Sequence, residues 1–268
     1  LHVHGGPEEK PRWVRTAPAR LLAVGAGGGL VTNMSLDGVF TLVLGAGNNV
    51  AISAHTIPAT SVGMATTGLN YFSGTIVDGS ATRLVALTKV GSGTQTLAGS
   101  NTYSGTTTIA AGTLRLASTN ALPSGAGKGN VVLSGANFGA GTINGGTVIG
   151  AADKIPSPGT LDLGGFDQRI NGLDSASGGF VVNQPALTWN GVSWVSATST
   201  NTLEVGHGDA DGSFDGVIMD GVTIAPGAVT ATAHIGTLAL RKVGAGVQTL
   251  SGANTYTGGT KIDGGVLQ

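Results

Sequence analysis

Cysteine is absent from this 268-residue chain, which removes disulfide staples, thiolate nucleophiles and thiolate zinc sites from consideration. Charge of one sign is missing as well: 13 Lys and Arg balance 14 Asp and Glu, for a formal net charge of -1. A nucleic-acid binder carries a positive excess to neutralise phosphates, so no nucleic-acid partner is expected. No apolar run reaches the roughly 18 residues that a membrane-spanning helix needs, because Gly, Thr, Asn or Ser interrupts every hydrophobic segment. The sequence therefore reads as a soluble segment without a membrane span. It opens on Leu1 with no charged-then-apolar leader, so a secretion signal is expected to have been removed or to lie outside it. Aromatic residues are scarce at 4%. A thick globular core built on large rings is thereby excluded.

What is present is glycine, 48 residues of it, within a chain that is 40% hydrophobic. That apolar content excludes disorder and demands a core. Since it consists mostly of Ala, Val, Leu and Ile, the core is expected to be thin and filled by small branched side chains, as in a narrow solenoid. Residues 1–20 differ from the rest, with His2, His4, Glu8, Glu9, Lys10, Arg12, Trp13, Arg15 and Arg20. They read as an extended arm, followed by one body over residues 21–268. In that body short alternating apolar runs are separated by Gly, Asn, Asp and Ser, and hardly any segment keeps a 3.6-residue period. The body is expected to be nearly all β.

Internal repetition decides which β architecture is expected. Leu87 to Arg115 reads LTKVGSGTQTLAGSNTYSGTTTIAAGTLR and Leu240 to Gln268 reads LRKVGAGVQTLSGANTYTGGTKIDGGVLQ; without gaps, at an offset of 153, they agree at 17 of 29 positions. The shared set pairs Lys89 with Lys242, Gln95 with Gln248, Asn101 with Asn254 and Tyr103 with Tyr256. Upstream, FSGTIVDG from Phe72 and FDGVIMDG from Phe214 share five of eight residues at an offset of 142. The recognisable repeats thus cover 72–115 and 214–268. The later one holds an 11-residue insertion (153 minus 142), expected in a loop within Val222 to Gly236. The tripeptide GTL recurs at Gly112, Gly159 and Gly236, each time followed by one residue and a further Leu, which reads as one inward strand face repeated. Whole repeating blocks with Gly at matched corners favour coils over a sandwich, because every coil needs the same corner conformations. The expected fold is a right-handed parallel β-helix, a β-solenoid with rungs of about 20 to 25 residues. Asn101 and Asn254 have two readings: turn residues tolerating left-handed backbone, or members of an amide ladder between rungs.

These blocks, with GTLDLGGFDQRINGL from Gly159 and TLEVGHGDADGSFDGVI from Thr202, resemble the autotransporter-associated β-strand repeat, or passenger-associated transport repeat. The resemblance covers roughly Leu69 to Gln268. Residues 1 to 68 match only loosely, and Gly135 to Ile155 looks inserted. It implies a secreted or surface-displayed bacterial passenger folded as a parallel β-helix, located outside the cell or on its outer surface, whose repeat carries no catalytic residues. The expectation is a structural or adhesive rod, assembling into a filament or surface layer, not an enzyme, and with no cofactor. Its expected partners are other copies, joined end to end or laterally, or further repeats of a longer parent chain. The last strand reads as an uncapped edge that something must cover.

Against that background the candidate sites are few. His2, His4, His55, His207 and His234 lack an HExxH context. Gly206 to Asp215 places Asp209, Asp211 and Asp215 where a calcium ion or, alternatively, a turn with Asx-type hydrogen bonds would use them. The glycine runs Gly25 to Gly29 and Gly125 to Gly129 fail the phosphate-loop patterns and read as corners. Asp162, Asp167, Arg169 and Asp174 form the densest mixed-charge group outside the Asp209 run; a polysaccharide lyase or hydrolase would need such groups to converge in a groove, and a surface ion pair explains them at least as well. Asp162, alternating with Leu161 and Leu163, is expected to face solvent. Trp189 and Trp194 flank an Asn-Gly turn in TWNGVSWV, the pattern of a hairpin, and have two readings: a contact surface for a glycan, a host surface or a neighbouring subunit, or rings of which one or both cap the narrow core.

Overall fold

The structure, a computed structural model, describes the strands His2–His4, Arg12–Trp13, Leu30–Thr32, Gly38–Gly45 and Ser61–Ala65, and then residues 71–72, 74–90, 93–134, 158–185, 187–189, 194–196, 199–223 and 233–268. Among these residues the chain is almost entirely β, with a single 3-10 turn at His207–Asp209. The stretch 135–155 that reads as an insertion lies outside the described residues, as do Gly25 to Gly29 and His55.

Parallel pairing dominates, and it joins strands distant in sequence. Arg83–Val90, Thr107–Ile109, Val131–Leu133 and Leu173–Ser175 lie side by side, with Leu87, Thr107, Val131 and Leu173 in register. A second sheet sets Thr94–Leu97, Thr113–Leu116, Thr160–Asp162, Phe180–Asn183 and Val217–Thr223 together. Between Arg83 and Asp162, strands that follow one another along the chain thus fall in alternate sheets. Several parallel partners are separated by similar lengths of chain: Thr94 to Thr113 is 19 residues, Leu87 to Thr107 is 20, and Thr107 to Val131 is 24. This spacing agrees with the rung length expected from the repeats. Larger separations occur where residues 46–60, 135–157, 186–198 or 224–232 intervene.

The core is a thin aliphatic seam running between the sheets. Strand patterning alternates, so Thr113–Leu116 buries Leu114 and Leu116 and turns Thr113 and Arg115 outward. The inward leucines of the GTL strands, Leu114, Leu161 and Leu238, are all 0% exposed. Each such burial contributes about 1.5–3 kcal/mol. Between rungs there is room for little but hydrogen. A Cβ on Gly159 would overlap the Ile109 carbonyl oxygen, so this corner excludes any larger residue.

Antiparallel pairing among the described residues is confined to three places. His2–His4 pairs with Arg12–Trp13 and with Leu30–Thr32, so strands of the arm enter a small sheet that reaches Thr75–Val77. Leu187–Trp189 pairs with Trp194–Ser196. The third place is the expected insertion, whose ends pair as Gly221 with Gly236, Val222 with His234 and Thr223 with Ala233. The loop expected there is therefore flanked by strand.

Candidate functional site

The two repeats can be compared atom by atom. The aspartate, asparagine and lysine that they share prove to be pins that tie together segments distant along the chain. In the first copy the Asp78 carboxylate accepts the backbone N–H groups of Val85 (2.8 Å) and Ser104 (3.1 Å) and the Ser104 hydroxyl (2.5 Å). In the second, Asp220 accepts the N–H groups of Leu238 (2.8 Å) and Thr257 (3.2 Å) and the Thr257 hydroxyl (2.6 Å). These partners correspond at the same offsets as the sequence blocks. Asn101 accepts the Ile76 N–H and Asn254 the Ile218 N–H, both at 2.8 Å. Tyr103 and Tyr256 share hydrogen bonds with the Thr107 and Thr260 hydroxyls, both at 2.6 Å.

Neither reading of the NTY asparagines is complete. The non-glycine residues with positive φ among the described residues are Asn120 and Asp209, so Asn101 is not in the left-handed region. Its amide bonds backbone groups of neighbouring segments in place of a ladder of like side chains. It receives the Ile76 N–H and donates to the carbonyls of Gly99 and Ala121, so one buried amide ties three successive levels of chain.

The lysines are the largest departure from what composition suggests. Lys89 and Lys242 are both 0% exposed, among the largest fully buried side chains described. Lys89 Nζ donates to the Ala111 carbonyl at 3.1 Å. Lys242 Nζ donates to the carbonyls of Val243 (2.5 Å), Gly244 (3.2 Å) and Gly264 (3.3 Å), the last matching Ala111 at the 153-residue offset. The lysine acts as a cationic plug that binds backbone carbonyls at a corner of the coil. Burial pushes the Lys89 ammonium down to about 8. Burial also lowers Lys242, against an opposing pull from Asp209 and Asp211. The signal for this role is present in the sequence as an identity between copies, but a lysine at a strand end reads as a solvated charge.

Asp162 corrects an expectation. It is 3% exposed rather than solvent-facing. Its Oδ1 accepts the N–H groups of Gly164 and Gln184, both at 2.9 Å, and Oδ2 lies 3.4 Å from Arg115 Nε. Desolvation raises its pKa, while Arg115 and the two N–H donors oppose the rise. Strict alternation fails because the strand ends there and the side chain folds back to cap the following corner. Asp167 is occupied elsewhere, accepting the Thr202 N–H (2.8 Å) and the Asn201 amide (3.3 Å). Arg169 pairs with Glu204 at 3.1 Å, and Asp174 accepts from the Asn130 amide and from the Ser213 N–H. Each member of the group serves its own partner.

Glu204 sits in a ladder of in-register residues, Arg169, Glu204, Arg241 and Lys261, across parallel strands. It meets Arg169, Arg241 (2.7 Å) and His207 Nε2 (3.0 Å). Burial works to raise its pKa, yet these donors together hold it below the usual glutamate value. In the run from Gly206 the aspartates also face chain rather than a shared centre. Asp209 accepts the Ala245 N–H (2.8 Å), Asp211 the Val247 N–H (2.6 Å) and Asp215 the Gly178 N–H (2.6 Å). Such bonds to the neighbouring coil extend the turn reading of these aspartates. Among the described residues no three His, Asp or Glu side chains are grouped as metal ligands would be.

Trp189 and Trp194 stand opposite each other in register across their antiparallel pair, a pairing that leaves four residues between them instead of the two of a tight Asn-Gly turn. Residues 190–193 between them lie outside the described residues. Lys128, in the second glycine run, donates to the Thr102 carbonyl (2.5 Å) and the Ser104 hydroxyl (3.0 Å), and Gly125 and Gly127 have positive φ. That run is a corner bound to the preceding coil.

These features define a chain that is nearly all β, with curled, parallel-rich sheets joined by recurrent polar pins. In keeping with them, a family model described as passenger-associated-transport-repeat matches residues 87–116 and 240–268, the two blocks whose side chains correspond in role. No curated protein and no solved structure matches the chain. No helix among the described residues is long and apolar enough to cross a membrane.

Proposed function

We propose that this chain is a rod-like module of a secreted or surface-displayed passenger, a right-handed parallel β-helix whose role is structural and adhesive rather than enzymatic. The observation that carries the reading is the recurrence of the same pins, Asp78/Asp220, Asn101/Asn254 and Lys89/Lys242, in two blocks that match a passenger-associated repeat. Strand–crossover–parallel strand connections are right-handed in about 98% of cases, which supports that hand. Stacked coils sharing backbone ladders and a continuous aliphatic seam resist proteolysis without disulfides. The separate engagements of Asp162, Asp167 and Arg169 support a non-enzymatic role. Fused upstream of an outer-membrane β-barrel in a bacterial display host, the module is expected to reach the surface as a body resistant to added protease. Loss of display, or cleavage throughout residues 93–134, would refute the reading. End-to-end assembly is the form of association we favour. It predicts oligomers in sedimentation that deletion of residues 1–20 abolishes.

A second reading is favoured by the register of Trp189 against Trp194: a hairpin that binds glycans or a host protein. A Trp189→Ala/Trp194→Ala double variant would then lose retention on a glycan array while keeping the parent melting temperature. Unchanged retention rejects it.

A further inference from the structure

Two turns, at residues 118–121 and 125–128, are each stapled by a buried amide to the segment that carries Arg169. The Gln168 side chain, 0% exposed, accepts the Ala121 N–H at 3.0 Å and donates to the Ser118 carbonyl at 2.6 Å. Asn171, equally enclosed, accepts the Gly125 N–H at 2.7 Å and donates to the carbonyls of Gly125 (3.0 Å) and Lys128 (2.6 Å). Arg169 lies between these two staples in the sequence, and together with residues of both turns it lines a cavity of about 210 Å³. Amides that fix both walls preorganise the space, so a ligand entering it has little ordering left to do.

The cavity carries two cations, Lys128 and Arg169, and among the described residues no carboxylate lines it. Lys128 spends two donors on neutral acceptors, the Thr102 carbonyl and the Ser104 hydroxyl, which leaves its third N–H. Arg169 gives its Nε–H to Glu204 at 3.1 Å, a bond that steadies the guanidinium and leaves its Nη groups for a carboxylate. Glu204 divides its own charge among Arg169, Arg241 and His207. The remaining lining is neutral: hydroxyls from Thr102 and Ser124, the Asn120 amide, and an apolar wall of buried Leu122 and Pro123. Asn120 holds a left-handed backbone at φ 53°, and its Oδ1 has no partner within the chain. No bond of that oxygen accounts for Asn where Gly would sit with less strain.

We infer that this cavity binds one residue of an acidic sugar, a uronic acid whose carboxylate meets Lys128 and Arg169 and whose hydroxyls meet Thr102, Asn120 and Ser124. At about 30 Å³ per water the volume equals about seven waters, room for one sugar ring. A compact anion such as phosphate fits the lining less well. The Gly125 N–H is already taken by Asn171 and the Lys128 N–H by the Gly125 carbonyl, so this turn is no nest of free amides, and the hydroxyls and amide would go unused. A neutral sugar would in turn leave both cations without a counter-charge. The site uses no residue of the Leu187–Trp189 and Trp194–Ser196 pair.

The test is a titration of the isotope-labelled full chain with sodium glucuronate, followed by NMR at the amides of residues 120–128 and 169. Saturable shifts are expected there, with a Kd on the order of 1–10 mM. Glucose, without the carboxylate, and sulfate, without the ring hydroxyls, are expected to bind at least about tenfold more weakly. Arg169→Gln, at an exposed position, should weaken glucuronate about three- to tenfold, and Arg169→Lys should recover only part, since it restores charge but not the fork. Asn120→Gly should weaken binding without lowering the melting temperature, which separates a ligand contact from a structural one and stands as the deciding variant if Arg169→Gln fails to fold. Absence of saturable shifts overturns the proposal. So does sulfate or glucose binding as tightly as glucuronate, or a Kd unchanged in both Arg169→Gln and Asn120→Gly. Shifts confined to residues 187–196 also overturn it, and assign the sugar to the tryptophan pair instead.

Discussion

Replacing Lys89 by Met tests whether a lysine is a corner plug. In the folded chain the ammonium is fully buried and its pKa falls from 10.5 to about 8 through desolvation. Below pH 8 both folded and unfolded chains hold the proton. Between pH 8 and 10.5 the unfolded chain keeps it while the folded chain releases it, so the unfolded state binds more protons and stability rises with pH. At about 1.4 kcal/mol per pKa unit, the increment from Lys89 amounts to about 3 kcal/mol across that window. Lys89→Met removes the titration but leaves the Ala111 carbonyl without this donor, a loss of about 1–3 kcal/mol at neutral pH that offsets the relief of the buried charge. Urea unfolding of both chains at about pH 7 and pH 10 isolates the effect, because every other titrating group cancels in the difference. The parent is expected to gain stability relative to Lys89→Met as pH rises. Parallel stability curves for the two proteins over that range would refute the reasoning.

Further expectations concern the other pins and one corner. Asp220→Ala strands the N–H groups of Leu238 and Thr257 and is expected to destabilise by about 2–4 kcal/mol, read as a lowered urea midpoint with an unchanged slope. Tyr103→Phe removes a buried hydroxyl bond to Thr107 and should cost about 1 kcal/mol, whereas Tyr256→Phe, on the open side of its coil, should cost measurably less in the same assay. Gly159→Ala drives a methyl into the Ile109 carbonyl and is expected to cost at least about 1–3 kcal/mol. In a thermal melt the exposed Ser251→Ala serves as its reference, and equal melting temperatures for the two variants would show that the corner can relax.

The β class, the coil length and the two copies are legible in the residues alone. Glycine spacing, the GTL strands and the 17 identities at an offset of 153 follow from a physical need: stacked coils require the same corners and the same inward face at every turn. The pins are marked there too, since Lys, Gln, Asn and Tyr recur together, but their work is not. For the asparagines and aspartates it emerges from the fold, because their partners lie about 18 residues or more away along the chain: Asn101 reaches Ile76 and Ala121, and Asp220 reaches Leu238 and Thr257. Alternation along one strand misplaces Asp162 because the next corner, not the strand, claims its carboxylate. A buried lysine is likewise invisible to composition, since only the folded corner brings carbonyls close enough to hold an ammonium away from water.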